Sequence, residues 1–292
     1  MPKTIAFQGA PGAYSDLACR TVFPGDVTLP CLSFDEAFTA VKFGKADYGM
    51  IAVENAIAGR VADVHHLLPT ANLSINGEHF QPICHHLLAI PGARLEDIRE
   101  VHSHVQALAQ CRDFLQKHGI KPVVHADTAG GAADVAKRGD KSVAAIASEL
   151  AGQLYGLQSL AADIANLPNN TTRFLILSRD ENWPEVSAAP TITSAIFRVR
   201  SVPAALYKAL GGFATNGINI TKIESYLVNG SFIAAQFYLD AEGHPKEPSM
   251  MRALNELCYF ANEVTVLGVY PASPYRKKMN AEESTDILNG RP

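Results

Sequence analysis

From its start to about residue 180 the chain alternates short apolar runs with capped helical stretches, and this alternation restricts the fold more than any other feature. Residues 5–7 read as a strand, closed by the glycine-rich turn Gln8-Gly9-Ala10-Pro11-Gly12, with a helix predicted over 15–22. Ser33-Phe34-Asp35-Glu36 spells a capping box, in which a serine caps the helix start and a glutamate reaches back. That helix stops near Gly44, and residues 48–53 form the next strand. Ser103, Thr128 and Ser148 mark further helix starts, separated by apolar strands at 123–124 and 143–146. Strand and helix in turn imply a mostly parallel sheet with helices on its faces.

The order changes across residues 180–191, where Asp180-Glu181-Asn182-Trp183-Pro184 and Ala188-Ala189-Pro190 read as a linker. Beyond it come a strand (193–199), a helix (202–215), two strands (218–227 and 232–239), a helix (248–261) and a strand (264–269). This is βαββαβ, the ferredoxin-like order. Asn216-Gly217 ends its first helix and Pro248 opens its second. A unit of this size more often binds an effector or pairs with a copy of itself, which directs the search for chemistry to the first ~185 residues. The polar tail, 272–292, is expected to be disordered.

At 292 residues and 47% hydrophobic content the chain can bury a sizeable core, on the order of two domains. A net charge of −4 and a pI of 6.2 exclude a broad nucleic-acid face. Cys19, Cys31, Cys84, Cys111 and Cys258 are odd in number and form no CxxC, a pattern that fits reduced thiols rather than a disulfide framework. The start, MPKTIAFQGA, does not read as a signal peptide, and no apolar run nears the ~20 residues of a membrane helix. A soluble cytoplasmic protein with neither membrane nor nucleic acid as partner is expected.

In α/β sheets ligands sit beyond the carboxyl ends of the strands. Several polar clusters fall there. The glycines of Gln8 to Tyr14 let backbone approach a ligand, and amides at a helix start can hold an anion. The loop lacks the Gly-Lys-Ser/Thr of a P-loop. Glu54-Asn55 sets a carboxylate beside an amide, a pair able to orient a hydroxyl or serve acid/base chemistry, and equally able to cap a helix. In Ser103-His104-Val105-Gln106-Ala107-Leu108-Ala109-Gln110-Cys111 the two glutamines stand four apart on one helix face. Of His65, His66, His85, His86, His102 and His104, the adjacent pairs diverge along a helix or strand, and HExxH is absent, so no metal is expected. GxSxG is absent. The densest cluster is Asn169-Asn170-Thr171-Thr172-Arg173-Phe174, directly before the apolar run 175–177. Arg173 can pair bidentately with a carboxylate, Thr172 offers a hydroxyl and Asn170 an amide. Strand alternation puts Thr172 and Phe174 on one side and Arg173 on the other, unless the strand entrance is irregular.

Together these segments resemble the prephenate dehydratase family. The stretches that carry the resemblance are Gly9-Ala10-Pro11-Gly12-Ala13-Tyr14-Ser15, Val53-Glu54-Asn55-Ala56-Ile57-Ala58-Gly59, Ser103 to Cys111, Asp127-Thr128-Ala129 and Asn170-Thr171-Thr172-Arg173-Phe174. Gly217-Ile218-Asn219-Ile220-Thr221-Lys222-Ile223-Glu224-Ser225 resembles the family's ACT regulatory unit. The resemblance implies a bilobed catalytic domain like a periplasmic binding protein over 1–182. Its lobes would be 1–78 with 163–182, and 79–162; a ferredoxin-like ACT domain would follow over 191–271. It implies conversion of prephenate to phenylpyruvate with loss of water and carbon dioxide, without any cofactor, on the route to phenylalanine. Thr172, Asn55, Gln110 and Glu54 would be catalytic. Arg173 would bind a carboxylate, with Phe174, Asn170, Gly12, Tyr14, Ser15, Ser103, His104, Gln106 and Thr128 around the substrate. L-Phenylalanine would act as effector at Ala204, Ala205, Leu206, Asn219, Glu224 and Ser225, in a homodimer or homotetramer.

The chain departs from the family's pattern at a few places. Ala56 replaces a hydroxyl residue, and Val105 a proline. The family's Gly-Ala-Leu reads Ala204-Ala205-Leu206, and its Glu-Ser-Arg-Pro reads Glu224-Ser225-Tyr226-Leu227. Ala204 adds a methyl where glycine allows close backbone approach, and Tyr226 puts a neutral ring in place of a cation. Two alternatives stay open: arogenate dehydratase, and a non-catalytic binding protein for small anions or amino acids.

Overall fold

The computed structural model describes residues 2–187, 189–200, 202–228 and 231–279. The chain divides into two compact units, Met1–Val64 with His79–Phe174, and His65–Glu78 with Leu175–Pro292. Both lobes expected of the catalytic domain thus fall mainly in the first unit. Residues 65–78, expected in the first lobe, group with the C-terminal part.

The first sheet has the order Val27–Cys31, Thr4–Gln8, Tyr48–Asn55, Thr171–Ser178, Ser74–Pro82, and the short strand Gly59–Arg60 folds back antiparallel on Tyr48–Asn55. Strand Thr4–Gln8 runs parallel to both neighbours. Helices Tyr14–Val22 and Phe34–Lys42 supply its crossovers. The second begins as its sequence predicts: Ser33 Oγ accepts from Glu36 N at 3.1 Å. The reciprocal bond reaches one residue further back, to Leu32 N at 2.6 Å.

The second sheet has the order Gln158–Ala161, His86–Ala89, Val143–Ala147, Glu100–Ser103, Lys121–Val124. It is mixed rather than mostly parallel. Glu100–Ser103 is parallel to both neighbours, but His86–Ala89 is antiparallel to Val143–Ala147 and to Gln158–Ala161. The reason lies in the connection. His86–Ala89 enters directly from Ser74–Pro82 of the first sheet, with no crossover helix to set its direction. Leu87, Ile98, Val101, Leu115 and Ile146 form the core under this sheet. Strand Ser74–Pro82 itself gave no apolar alternation, because most of its length is polar and only half-buried.

Beyond the linker, Thr191–Val199, Ala205–Thr215, Ile220–Val228, Ser231–Glu242, Pro248–Phe260 and Ala261–Pro271 follow as βαββαβ. Their antiparallel sheet has the ferredoxin-like order, with Thr191–Val199 and Ser231–Glu242 in the middle. Phe197, Phe213, Leu239, Met250 and Leu257 fill the space between sheet and helices. Pro248 stands at the first turn of its helix. Of the tail expected to be disordered from residue 272, residues 274–279 are helical. Arg276 grips Glu78 with two bonds of 2.6 and 2.8 Å, and Ser273 N donates to the same carboxylate. The Glu78 side chain is fully buried, and a buried carboxylate needs such partners; the polar composition of the tail concealed that demand. Residues 280–292 lie outside the described residues.

Candidate active site

The two sheets of the first unit are joined where Ile83 N donates to Asn170 O at 2.8 Å. A cleft of about 540 Å³ opens beside this junction. It is lined from the first sheet by Gln8, Tyr14, Ser15, Asn55, Arg60, Asn170, Thr172 and Phe174, and from the second by His85, His104, Gln106, Gln110 and Thr128. The densest polar cluster of the sequence therefore lies at the junction. Asn169 takes the left-handed conformation (φ 62°) that asparagine tolerates best among residues with a side chain, and it turns the chain into the strand.

Asn55 organises the cleft floor. The backbone N–H groups of Ile57 and Ala58 both donate to its Oδ1, at 3.0 and 2.8 Å, which fixes the amide's orientation. Its Nδ2 therefore donates, to Asn170 Oδ1 at 2.7 Å and Thr172 Oγ1 at 2.9 Å. Asn170, with its oxygen taken, donates from Nδ2 to Gln110 Oε1 at 3.0 Å. The same oxygen receives His85 Nε2 at 2.8 Å, so that nitrogen carries a hydrogen. Burial pushes the His85 pKa down, which keeps the ring neutral near pH 7. Tyr14 closes the chain: its hydroxyl donates to Cys84 O at 2.6 Å and lies 3.0 Å from His85 Nδ1. Burial pushes the tyrosine pKa well up, so the phenol stays protonated. Every hydrogen-bond direction from Asn55 to His85 thus follows from two backbone N–H groups. Thr172 Oγ1 accepts from Asn55, which leaves its own proton to be directed into the cleft. A relay of neutral amides ending on a hydroxyl donor suits the stabilisation of negative charge on a departing oxygen.

The remaining predicted residues divide. Gln106 and Gln110 lie on the shared face their spacing predicts, on helix Val105–Gln110. His104 is the N-cap of that helix, its Nδ1 accepting from Gln106 N at 3.4 Å. Thr128 opens helix Thr128–Arg138, whose N-cap is Asp127, with Oδ1 accepting from Gly130 N. Ser103, expected to start a helix and touch substrate, is instead fully buried at the end of a strand and donates to Ile146 O at 2.6 Å. Gly12 also serves structure. Its N–H is taken by buried Asp16, its carbonyl by Ser148 Oγ, and a Cβ there would lie 2.8 Å from the Ala151 backbone. At φ 87° the position suits glycine on conformational grounds as well. The glycine loop is a close-packed joint onto helix Glu149–Tyr155, reinforced by Tyr155 Oη donating to Pro11 O.

Arg173 and Glu54 are also off the cleft lining. Strand alternation holds through residue 174, so Thr172 and Phe174 face the cleft and Arg173 turns away. Its guanidinium is buried and meets Glu54 Oε1 at 3.0 Å. The expected carboxylate clamp and the expected acid/base are thus partners of each other. The sequence reading missed Gln8, His85 and Arg60. For His85 the sequence suggests only a metal ligand; the signal of its cleft position is the amide face of Gln110. Among the described residues no group of three or more His, Cys, Asp or Glu is placed to hold a metal ion. No helix among them is long and apolar enough to cross a membrane.

In the C-terminal unit, Ala204, Ala205 and Leu206 line an open pocket with Arg200 and Tyr207, whereas Asn219, Glu224 and Ser225 do not. Asn219 donates to Glu242 and Glu224 pairs with Lys222. Ala204 adopts φ 57° at the N-cap of its helix. Tyr226 is buried, stacked on His65 at 5.3 Å, with its hydroxyl 2.9 Å from His65 Nδ1.

Residues 5–182 match the prephenate dehydratase family. The chain is 51% identical to a bifunctional N-acyl-homoserine lactone acylase/prephenate dehydratase of Komagataeibacter europaeus, over 94% of this chain and 98% of that one. It is 39% identical to arogenate dehydratase/prephenate dehydratase 1 of Arabidopsis thaliana, over 91% of this chain and 71% of the relative. The solved structure of prephenate dehydratase from Arthrobacter aurescens in complex with L-Phe superimposes with a TM-score of 0.84 at 30% identity, covering 98% and 99% of the two chains. The chain belongs to the prephenate dehydratase family, lyases that dehydrate and decarboxylate prephenate.

Proposed function

We propose that the cleft converts prephenate to phenylpyruvate, and that Thr172 assists the departing hydroxyl. The supporting observation is the relay that fixes Asn55 as donor and Thr172 Oγ1 as its acceptor. In the reaction the bond from ring carbon to carboxylate breaks and carbon dioxide leaves. The electron pair moves through the diene, and the ring C–O bond breaks as the ring becomes aromatic. The hydroxyl leaves as water after taking one proton, for which solvent is the source. Thr172 is a poor acid, so its part is a hydrogen bond to the departing oxygen that strengthens as charge develops. Gln110 and Asn55 hold the threonine's surroundings, and Phe174 and Ile83 give the ring an apolar wall.

Phenylalanine is the proposed effector, in the pocket lined by Ala204, Ala205 and Leu206, supported by the L-Phe complex of the Arthrobacter relative. The test is phenylpyruvate formation from prephenate by the purified protein, with and without phenylalanine. Turnover that phenylalanine lowers supports both readings. Turnover on arogenate alone transfers the site to the amino-acid substrate. The 51% identity to the Komagataeibacter protein supports a second activity, hydrolysis of an N-acyl-homoserine lactone to fatty acid and homoserine lactone. Fatty-acid release from such a lactone tests it directly.

A further inference from the structure

Prephenate is a dianion, which a cation on the cleft lining favours, and the resemblance assigns that task to Arg173. Buried against Glu54, Arg173 is not on the lining. Among the described residues one lysine or arginine does line the cleft, Arg60. We infer that Arg60 is the residue that binds a substrate carboxylate, an assignment that rests on the prephenate reading above.

Its placement follows from local structure. Glu54↔Arg60 and Asn55↔Gly59 pair antiparallel, so the hairpin that fixes the Asn55 amide also sets Arg60 one pair away from it. The backbone of Ala56, in the turn, donates to Thr171 O at 2.9 Å and ties the hairpin to the strand that carries Thr172. Arg60 is exposed, within reach of an entering ligand. The single acid on the described lining, Asp63, stands three residues further on. The permanent charges facing the cleft are therefore one arginine and one aspartate. Removing Arg60 leaves a net negative lining that repels a dianion. A guanidinium also presents two parallel N–H groups to a carboxylate, which an amide cannot match.

Steady-state kinetics of Arg60→Gln and Arg60→Lys on prephenate test this, at two ionic strengths. The expected result for Arg60→Gln is a KM raised by about 10–100-fold, the range of a charge-assisted hydrogen bond, with kcat changed less than about threefold. Arg60→Lys falls between, and the wild-type KM rises more steeply with salt than that of Arg60→Gln. Matching thermal midpoints confirm that both variants fold. An Arg60→Gln KM within about twofold of wild type, on an enzyme that turns prephenate over, overturns the assignment and leaves the reaction standing. A wild-type protein that makes no phenylpyruvate overturns the reaction itself, and this assignment with it.

Discussion

Two alanines, Ala56 beside the cleft and Ala204 at the first helix of the C-terminal unit, stand where the resembling family has other residues, and the structure treats them in opposite ways. Ala56 is exposed, and its backbone N–H donates to Thr171 O. Any residue but proline supplies that group, so the missing hydroxyl leaves the hairpin intact. Ala204 lies at φ 57°, where a β-carbon costs about 1–2 kcal/mol and glycine costs little. One position asks the chain for a donor, the other for a conformation. Sequence departures of equal size therefore have unequal consequences: the hairpin beside the cleft keeps its hydrogen bond, while the first helix of the C-terminal unit starts under strain.

Among changes to the hairpin and to the two alanines, the largest expected effect comes from breaking the amide that the cleft hairpin fixes. Asn55→Leu removes the donor to Thr172 and the acceptor for Ile57 and Ala58; kcat on prephenate is expected to fall about 10²-fold, measured at saturating substrate. A fall under threefold would mean that the relay does not set the chemistry. A smaller change of opposite sign follows at the other alanine. Ala204→Gly relieves the left-handed strain, less the entropy glycine adds to the unfolded chain, and is expected to raise the thermal midpoint by ~1–3 °C. A lowered midpoint would show that the methyl packs favourably. The smallest effect belongs to Ala56→Ser, expected to leave kcat and KM within about twofold, because the cleft uses this residue's backbone. A tenfold gain would mean that the hydroxyl has a role the hairpin does not reveal.

Much of this was legible in the residues. The strand–helix alternation gave both halves of the chain, and strand parity alone separates Thr172 and Phe174 from Arg173. The resemblance gives Arg173 a substrate carboxylate, whereas its buried pair with Glu54 lies on the side that parity assigns it. Ser103 and Gly12 sit in the expected motifs, but their polar atoms are consumed by Ile146 and by Asp16 and Ser148; Ile146 and Ser148 stand 43 and 136 positions away, where no local pattern reveals them. His85 and Arg60 were missed for a related reason. One touches Gln110 across 25 positions, and the other reaches the cleft only because a two-residue strand folds back on its predecessor. Local propensity carries turn and cap information; the polarity of a relay appears only once the chain is closed.

The most direct test of the relay is the turnover of prephenate by Thr172→Val beside Thr172→Ser. If Thr172 donates to the departing oxygen, the valine enzyme loses about 10²–10³-fold in kcat while serine, which keeps the hydroxyl, stays within about tenfold of wild type. A valine enzyme with undiminished kcat would contradict the account, since the hydrogen bond on which the site is built would then carry no part of the reaction.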